Sequence, residues 1–276
     1  MLKLFKDSFK KTNDCIILAT PLIIFLSILG WYFTYATSSV DNIPKLILAI
    51  VTILIMASGF LSAWFYMAKK TLQLSDKVFI FDKDRAKAFW SLILSLPKGI
   101  GRLFLPFLGI ISFSTIVSGC VITLITYLVT KYLGTVSIDF LDSSNIMISS
   151  KELIEEISEL PQQEIIILNC WYLLVVCSML IMQFLSLLWI PEVVYCEKNP
   201  FKALYFAIKK LFITFPSTIT LFLYISFLSL IISILNTFLM FNPIAYFLVL
   251  VLHYYLIVYI VVLLFSYYQQ AFLKDE

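Results

Sequence analysis

The stretch that decides the fold is residues 211–273, LFITFPSTITLFLYISFLSLIISILNTFLMFNPIAYFLVLVLHYYLIVYIVVLLFSYYQQAFL, which contains no Asp, Glu, Lys or Arg. One crossing of a bilayer takes about 20 mostly apolar residues, so this stretch is long enough for two crossings. Phe241–Asn242 marks a break between them, and Pro243 suits the first turn of a new helix. The stretch therefore predicts a hairpin of two transmembrane helices.

The rest of the chain follows the same pattern. Of its 276 residues, 61% are hydrophobic and 13% are charged, whereas soluble domains have about 25% charged residues. Four further runs lack charge and each fits one crossing: 15–40, 46–68, 103–130 and 165–191. A buried helix of a soluble protein could explain one run but not all of them together. The sequence predicts an all-α integral membrane protein with six transmembrane helices, and residues 1–276 as a single transmembrane domain.

The first run could instead be a secretory signal peptide, because lysines precede it. However, its apolar stretch from Cys15 to Phe33 is longer than a usual signal-peptide core. Bulky Trp31 and Tyr32 stand where a cleavage site would need small residues. We therefore expect this run to be a retained transmembrane anchor.

The basic residues are unevenly placed along the chain. All but three of the 20 fall in the N-terminal segment, the 69–102 and 192–210 connections and the C-terminal tail, and the exceptions are Lys45, Lys131 and Lys151. Six crossings put those four segments on one side, which the positive-inside rule makes cytoplasmic. We predict a multi-pass protein of the bacterial inner (plasma) membrane with both termini in the cytoplasm. Its basic face would meet anionic lipid headgroups. Nucleic-acid binding is not expected, because the basic residues lie beside the spans.

The chain also aligns with itself. Residues 2–28, 86–112 and 201–227 superimpose with Lys3, Lys87 and Lys202 in register, and Lys10 and Lys11 meet Lys209 and Lys210. Each copy contains a lysine-bearing amphipathic segment, then an outgoing span and a returning span. The pattern predicts three repeated units at about 1–70, 84–192 and 198–276. Each unit would pair a cytoplasmic interfacial helix with a helical hairpin.

The amphipathic segment of the third copy, NPFKALYFAIKKLF at 199–212, has three interpretations. It could be an interfacial helix, a docking site for a soluble partner, or an extension of the following span. A continuous helix from 201 to 240 would be ~60 Å long, about twice the ~30 Å hydrocarbon thickness. We therefore predict an interfacial helix that ends near Phe215–Pro216. The candidate lipid-headgroup contacts are Lys3, Lys10, Lys87, Lys202, Lys209 and Lys210.

The middle unit has a long outer loop at about 132–164. Within it, SSKELIEEISELP at 149–161 predicts a short helix, with Ser149 and Glu152 as a capping box and Pro161 at its end. The acidic face of this helix indicates solvent exposure, and binding of a cation or a basic partner is the alternative.

Residues suited to catalysis are scarce. The chain has no Walker loop, GxSxG or HExxH motif and no paired intramembrane carboxylates, so we expect no enzymatic activity, no cofactor and no metal site. Arg102 and Glu192 fall at predicted cytoplasmic ends, where a charge is tolerated. Gln183, Asn236 and His253 are the candidate intramembrane polar site. His253 suits a hydrogen bond across the bundle, with a proton-relay or ligand role as the alternative.

The segment LWIPEVVYCEKNPFKALYFAIKKLF at 188–212 has a proline near the end of a span, a short polar turn and an amphipathic helix. In this it resembles a broad group of uncharacterised bacterial polytopic membrane proteins, which is similar to the membrane domain fused to some glycerophosphodiester phosphodiesterases. The resemblance covers about 25 residues well and the helix order of the chain loosely. It implies an inner-membrane protein and transfers no catalytic residue, because the phosphodiesterase domain is absent from this sequence.

Two functions fit these observations. The first is a non-catalytic membrane protein that organises anionic lipid or a membrane partner through its basic interfacial helices. The second is a permease, or the membrane subunit of one with an ATPase partner, for an apolar or lipid-like substrate, because many transporters are built from internal repeats.

Overall fold

The computed structural model describes residues 1–40, 42–75, 82–134, 161–239 and 241–273. All regular structure in these ranges is helical. The α-helices are α1 (Leu2–Asp14), α2 (Ala19–Ser39), α3 (Ile43–Ser75), α4 (Asp82–Ile93), α5 (Ser95–Leu133), α6 (Gln162–Leu185), α7 (Trp189–Tyr195), α8 (Pro200–Ile213), α9 (Phe215–Leu239) and α10 (Pro243–Phe272), with a 3-10 turn at Ile16–Leu18.

Six helical segments within the described ranges are long and apolar enough to cross a membrane. They are Ile16–Ser39, Ile43–Ser75, Lys87–Leu133, Gln162–Tyr195, Phe215–Leu239 and Pro243–Phe272. The prediction of an all-helical chain with six membrane-crossing segments is confirmed. These helices extend beyond the charge-free runs, because a helix can continue through lysines near its ends, as α3 does through Lys69 and Lys70.

Two helices begin with the same Asn-Pro signal. The side chain of Asn242 accepts hydrogen bonds from the backbone N–H of Ile244 and Ala245 at 3.1 and 3.2 Å, and Pro243 takes the first helical position. Asn199 caps α8 in the same way, followed by Pro200. An asparagine cap satisfies N–H groups that lack partners within the helix, and proline has no N–H to satisfy there. The predicted break at Phe241–Asn242 is therefore confirmed.

The short helices α1, α4 and α8 each end just before a long helix. α1 stops before Cys15, whose φ and ψ are −97° and 6°, and α8 stops before Thr214, whose φ and ψ are −108° and 31°. α4 ends before Leu94, a turn residue. The helix end predicted near Phe215–Pro216 is confirmed at Thr214. Residues 200–213 are thus a separate helix and not a continuous extension of the next span.

The chain divides into two compact units, residues 113–184 and residues 1–112 with 185–276. In the smaller unit, Ile125 and Val129 of α5 pack against Ile167 of α6. The indole N–H of Trp171 donates to the Thr126 hydroxyl at 3.0 Å. α5 ends at Leu133 and α6 begins at Gln162, which agrees with the ends of the predicted outer loop. The helix predicted at 149–161 lies outside the described residues, apart from Pro161.

In the larger unit, aromatic side chains from three spans meet. The ring of Phe65 lies 5.3 Å from that of Phe107 and 6.0 Å from that of Phe265, measured between centroids. Beside them, the indole N–H of Trp64 donates to the Leu18 carbonyl at 2.8 Å. We call this region, with α7 and the buried side of α8, the packed end.

Where α9 ends and α10 begins, apolar side chains are exposed. Phe238 of α9 is 76% exposed and Phe247 of α10 is 61% exposed. Exposed apolar surface on long apolar helices is suited to contact with lipid tails.

α1 packs mainly against α10, although the two helices lie near opposite ends of the chain. The hydroxyl of Tyr255 donates to the Asn13 side-chain oxygen at 2.9 Å. Phe5 stacks on Tyr224 of α9 with the ring centroids 4.1 Å apart. The first helix is therefore held by the last two spans.

Candidate functional site

Among the described residues, the packed end contains one buried carboxylate, that of Glu192 in the first turn of α7. The ammonium of Lys210 donates to Glu192 Oε2 at 2.7 Å, and the Tyr268 hydroxyl donates to the same oxygen. Lys210 Nζ also donates to the Tyr268 oxygen at 2.6 Å. Glu192 was expected to be a charge tolerated at the end of a span. The structure instead buries the carboxylate inside the protein, where its partners neutralise it.

Lys210 reaches Glu192 because of the way α8 is oriented. Ala203, Ala207 and Leu211, spaced four residues apart, form the buried side of α8, and Lys210 lies next to that side. Small alanines allow α8 to approach its neighbours closely. The indole N–H of Trp189 then donates to the Pro200 carbonyl at 2.8 Å, which holds the turn between α7 and α8.

A second lysine at this end, Lys69 of α3, has a different environment. Its ammonium donates to the Val194 carbonyl at 2.9 Å and lies 4.5 Å from the centre of the Tyr195 ring. The side-chain amide of Gln269 donates to the Tyr195 hydroxyl at 2.9 Å. Within the described ranges, Lys69 has no carboxylate partner. Two lysines at one end therefore differ in whether the protein supplies their counter-charge.

Lys69 also lines a polar cavity of about 610 Å³. Its other polar lining residues are Lys11, Gln73, Tyr195, Ser266, Gln269 and Gln270. Among the residues that the structure describes, no acidic side chain lines it. Ser266 is only 4% exposed, and its hydroxyl has no hydrogen-bond partner in the described part of the chain. The cavity thus combines positive charge with unused hydrogen-bonding capacity.

The predicted headgroup lysines fall into two groups. Five have exposed side chains: Lys3, Lys10, Lys87, Lys202 and Lys209. Lys210 is only partly exposed and its ammonium already has two protein partners. Its contact with lipid headgroups stays a prediction, but the structure gives it a role within the protein.

Two of the three predicted intramembrane polar residues come together. Asn236 and His253 line a groove of about 350 Å³ between α9 and α10, together with Ser229 and Ser233. Both Asn236 and His253 are exposed side chains. Gln183 belongs to the smaller unit.

The sequence did not predict a site at Lys69, Tyr268 or Ser266. One signal was available, because the last turns of α10 contain SYYQQ at 266–270, five consecutive side chains that can form hydrogen bonds. Such a group at the end of a span indicates a polar environment inside the protein or at its surface.

No family model, no curated protein and no solved structure matches this chain. The resemblance to the membrane domain fused to some glycerophosphodiester phosphodiesterases stays a prediction.

Proposed function

We propose that this chain is a non-catalytic protein of the bacterial inner membrane that organises anionic lipid or a membrane partner through the basic helices α1, α4 and α8. Both termini would lie in the cytoplasm. The observation that carries the proposal is that each of these helices presents exposed lysine beside exposed aromatic side chains.

The clearest case is α8, which has three sides. Its buried side packs on the protein, as described above. Phe201 and Tyr205 lie on a second, apolar side and are 58% and 66% exposed. Lys202 and Lys209 lie on the third side and are also exposed. A helix whose aromatic side faces lipid and whose lysines reach toward headgroups is suited to lie in the membrane interface.

α1 shows the same arrangement, which supports the repeated units at about 1–70, 84–192 and 198–276. Its buried residues Leu4, Ser8 and Thr12 align with Ala203, Ala207 and Leu211 of α8 when Lys3 is aligned with Lys202. In the same alignment Cys15 meets Thr214, and these residues end their respective helices.

The second unit matches less closely. Lys87, Phe89 and Trp90 of α4 are exposed, in line with an interfacial helix. However, its helix ends at Leu94, whereas the alignment with Cys15 falls on Gly99. The three units share an order of elements, and the middle one differs in where its short helix ends.

The test compares lipid selection by the full chain in nanodiscs of mixed phosphatidylglycerol and phosphatidylcholine. Native mass spectrometry would measure which lipid stays bound after extraction. We expect enrichment of phosphatidylglycerol, and the double variant Lys202→Gln/Lys209→Gln should lose most of the contribution from α8. A lysine near an anionic surface contributes about 1 kcal/mol, so two of them correspond to roughly a thirtyfold preference.

The control for this test is Lys45→Gln/Lys131→Gln, which removes two lysines from the predicted outer side. This variant should keep the preference. A wild-type chain that binds both lipids in proportion to their supply would contradict the proposal, as would equal losses in the two double variants.

The groove lined by Asn236 and His253 favours a second function. In this second proposal the chain is a permease for an apolar or lipid-like substrate, or the membrane subunit of one with an ATPase partner. If it applies, proteoliposomes should move a fluorescent phospholipid between leaflets faster than protein-free liposomes. Asn236→Leu/His253→Phe should then slow this movement, because it removes both polar groups from the groove. Equal rates with and without protein would exclude transport of such a lipid.

A further inference from the structure

We infer that the polar cavity beside Lys69 binds a phosphate group, carried either by a phospholipid headgroup or by free inorganic phosphate. None of the five exposed lysines of the proposed function lines this cavity. The inference therefore concerns a separate site, a cavity formed by several helices, and does not depend on the lipid selection proposed above.

The first argument is charge. In the described part of the chain, the cavity is lined by two lysines and by no acidic residue. Lys69 sits near the end of a membrane-crossing helix and has no carboxylate partner within the described ranges. An uncompensated charge in such a place is costly, and a bound anion would offset that cost. Lys210 shows the contrast, because Glu192 supplies its counter-charge from within the protein.

The second argument is unused hydrogen-bonding capacity. A buried hydroxyl without a partner costs about 1–3 kcal/mol, and folded proteins rarely leave one in that state. The Ser266 hydroxyl is such a group, and Ser266 lines the cavity. A ligand that accepts a hydrogen bond from this hydroxyl would remove the cost.

The third argument is the chemistry of the donors. Lys69 Nζ has three hydrogens, and one is used on the Val194 carbonyl. Gln73 and Gln270 add amide donors to the lining. Ammonium, hydroxyl and amide groups without a carboxylate suit the several acceptor oxygens of a phosphate. At about 610 Å³ the cavity also has room for the group attached to that phosphate.

The experiment uses the purified full chain in maltoside micelles, which contain no phosphate, and measures its thermal unfolding. One arm adds inorganic phosphate, and the other adds phosphatidylglycerol to the micelles. A ligand that binds only the folded state raises the unfolding temperature with its concentration, which yields an apparent Kd. Stabilisation by phosphate indicates a free anion as the ligand, and stabilisation by phosphatidylglycerol alone indicates a lipid headgroup.

Two variants decide whether the cavity is responsible. Lys69→Gln should weaken the apparent Kd about tenfold or more, because a charge-assisted hydrogen bond is lost. Ser266→Ala should weaken it roughly fivefold. Without a ligand, Ser266→Ala should unfold at the wild-type temperature or above it, because its hydroxyl makes no bond to lose. Weaker binding together with an unchanged or higher unfolding temperature would not arise if the Ser266 hydroxyl had a purely structural role.

The control is Lys70→Gln. Lys70 neighbours Lys69 in sequence and also donates to a backbone carbonyl, that of Ser91 at 2.7 Å, but it does not line the cavity. This variant should bind both probes as the wild type does. If Lys69→Gln fails to fold, the Ser266→Ala measurement still decides the question.

Two results would overturn the inference. One is a wild-type chain that neither probe stabilises, and the other is unchanged binding in Ser266→Ala together with unchanged binding in Lys69→Gln where that variant folds. The outcome is distinguishable from that of the proposed function. Lys202→Gln/Lys209→Gln tests only the exposed helices, through lipid selection, and Lys69→Gln and Ser266→Ala test only the cavity, through stabilisation by the two probes. Either proposal can therefore fail while the other holds.

Discussion

At the scale of single residues, the most consequential contact is the ion pair of Glu192 and Lys210. Removing one partner of a buried pair leaves the other charge without compensation, which costs about 3–5 kcal/mol. We therefore expect Glu192→Gln to lower the free energy of unfolding by about that amount, because glutamine keeps the shape but not the charge. Reversible unfolding of the purified chain in mixed micelles would measure it.

The matched control is the double variant Glu192→Gln/Lys210→Met, which removes both charges. Replacing a buried pair by uncharged groups is often close to neutral, so this variant should recover much of the loss. If Glu192→Gln unfolds like the wild type, the pair has no structural importance and the burial of Glu192 needs another explanation.

At the scale of helices, the crossing of α3 and α5 depends on a glycine. A Cβ on Gly99 would lie 2.8 Å from Tyr66 Cβ and 2.9 Å from Ala63 Cα, which is too close for either helix to keep its position. Gly99→Ala should lower the free energy of unfolding by about 1–3 kcal/mol, as overpacking does.

Gly101, two residues farther along α5, gives the control for that prediction. A Cβ there would meet nothing within 4 Å. Alanine favours a helix over glycine by roughly 0.5–1 kcal/mol, so Gly101→Ala should stabilise the chain slightly. Thermal unfolding of Gly99→Ala and Gly101→Ala would test both predictions. A similar shift of the unfolding temperature, with the same sign in both variants, would contradict a close α3–α5 contact at Gly99.

The helices also show what the sequence could and could not predict. Absence of charge predicted the six membrane-crossing segments, and proline chemistry predicted the helix ends at Thr214 and Phe241–Asn242. The division of α8 into a buried and a lipid-facing apolar side was not predictable. Lipid tails and protein interiors are both apolar, so hydropathy does not distinguish Ala203 from Phe201.

The candidate site was harder to predict for a related reason. Glu192 is buried because Lys210 and Tyr268 approach it from 18 and 76 residues away in sequence. Such contacts depend on how helices pack and not on local pattern. The polar cavity likewise joins α1, α3, α7 and α10, and no single stretch of sequence contains enough of it to reveal a site.

At the scale of the whole molecule, the distribution of basic residues predicts that both termini lie in the cytoplasm and that the segment between α5 and α6 lies outside. Alkaline phosphatase, which folds only outside the cytoplasm, should be active when inserted after Asn145 and inactive when fused after Glu276. A fluorescent protein fused at Glu276 should give the opposite result. Phosphatase activity at Glu276 would show that the orientation is reversed.

The packing of α1 against α10 has a consequence for the order of synthesis. Asn13 and Tyr255, which bond to each other, are 242 residues apart in the chain. Ribosomes add about 5–20 residues per second, so α1 emerges tens of seconds before its main partner exists. During that interval, basic α1 can rest only on the membrane surface or on a chaperone. Its docking is therefore among the last steps of biogenesis, and a ribosome stalled before α10 would leave α1 open to added protease.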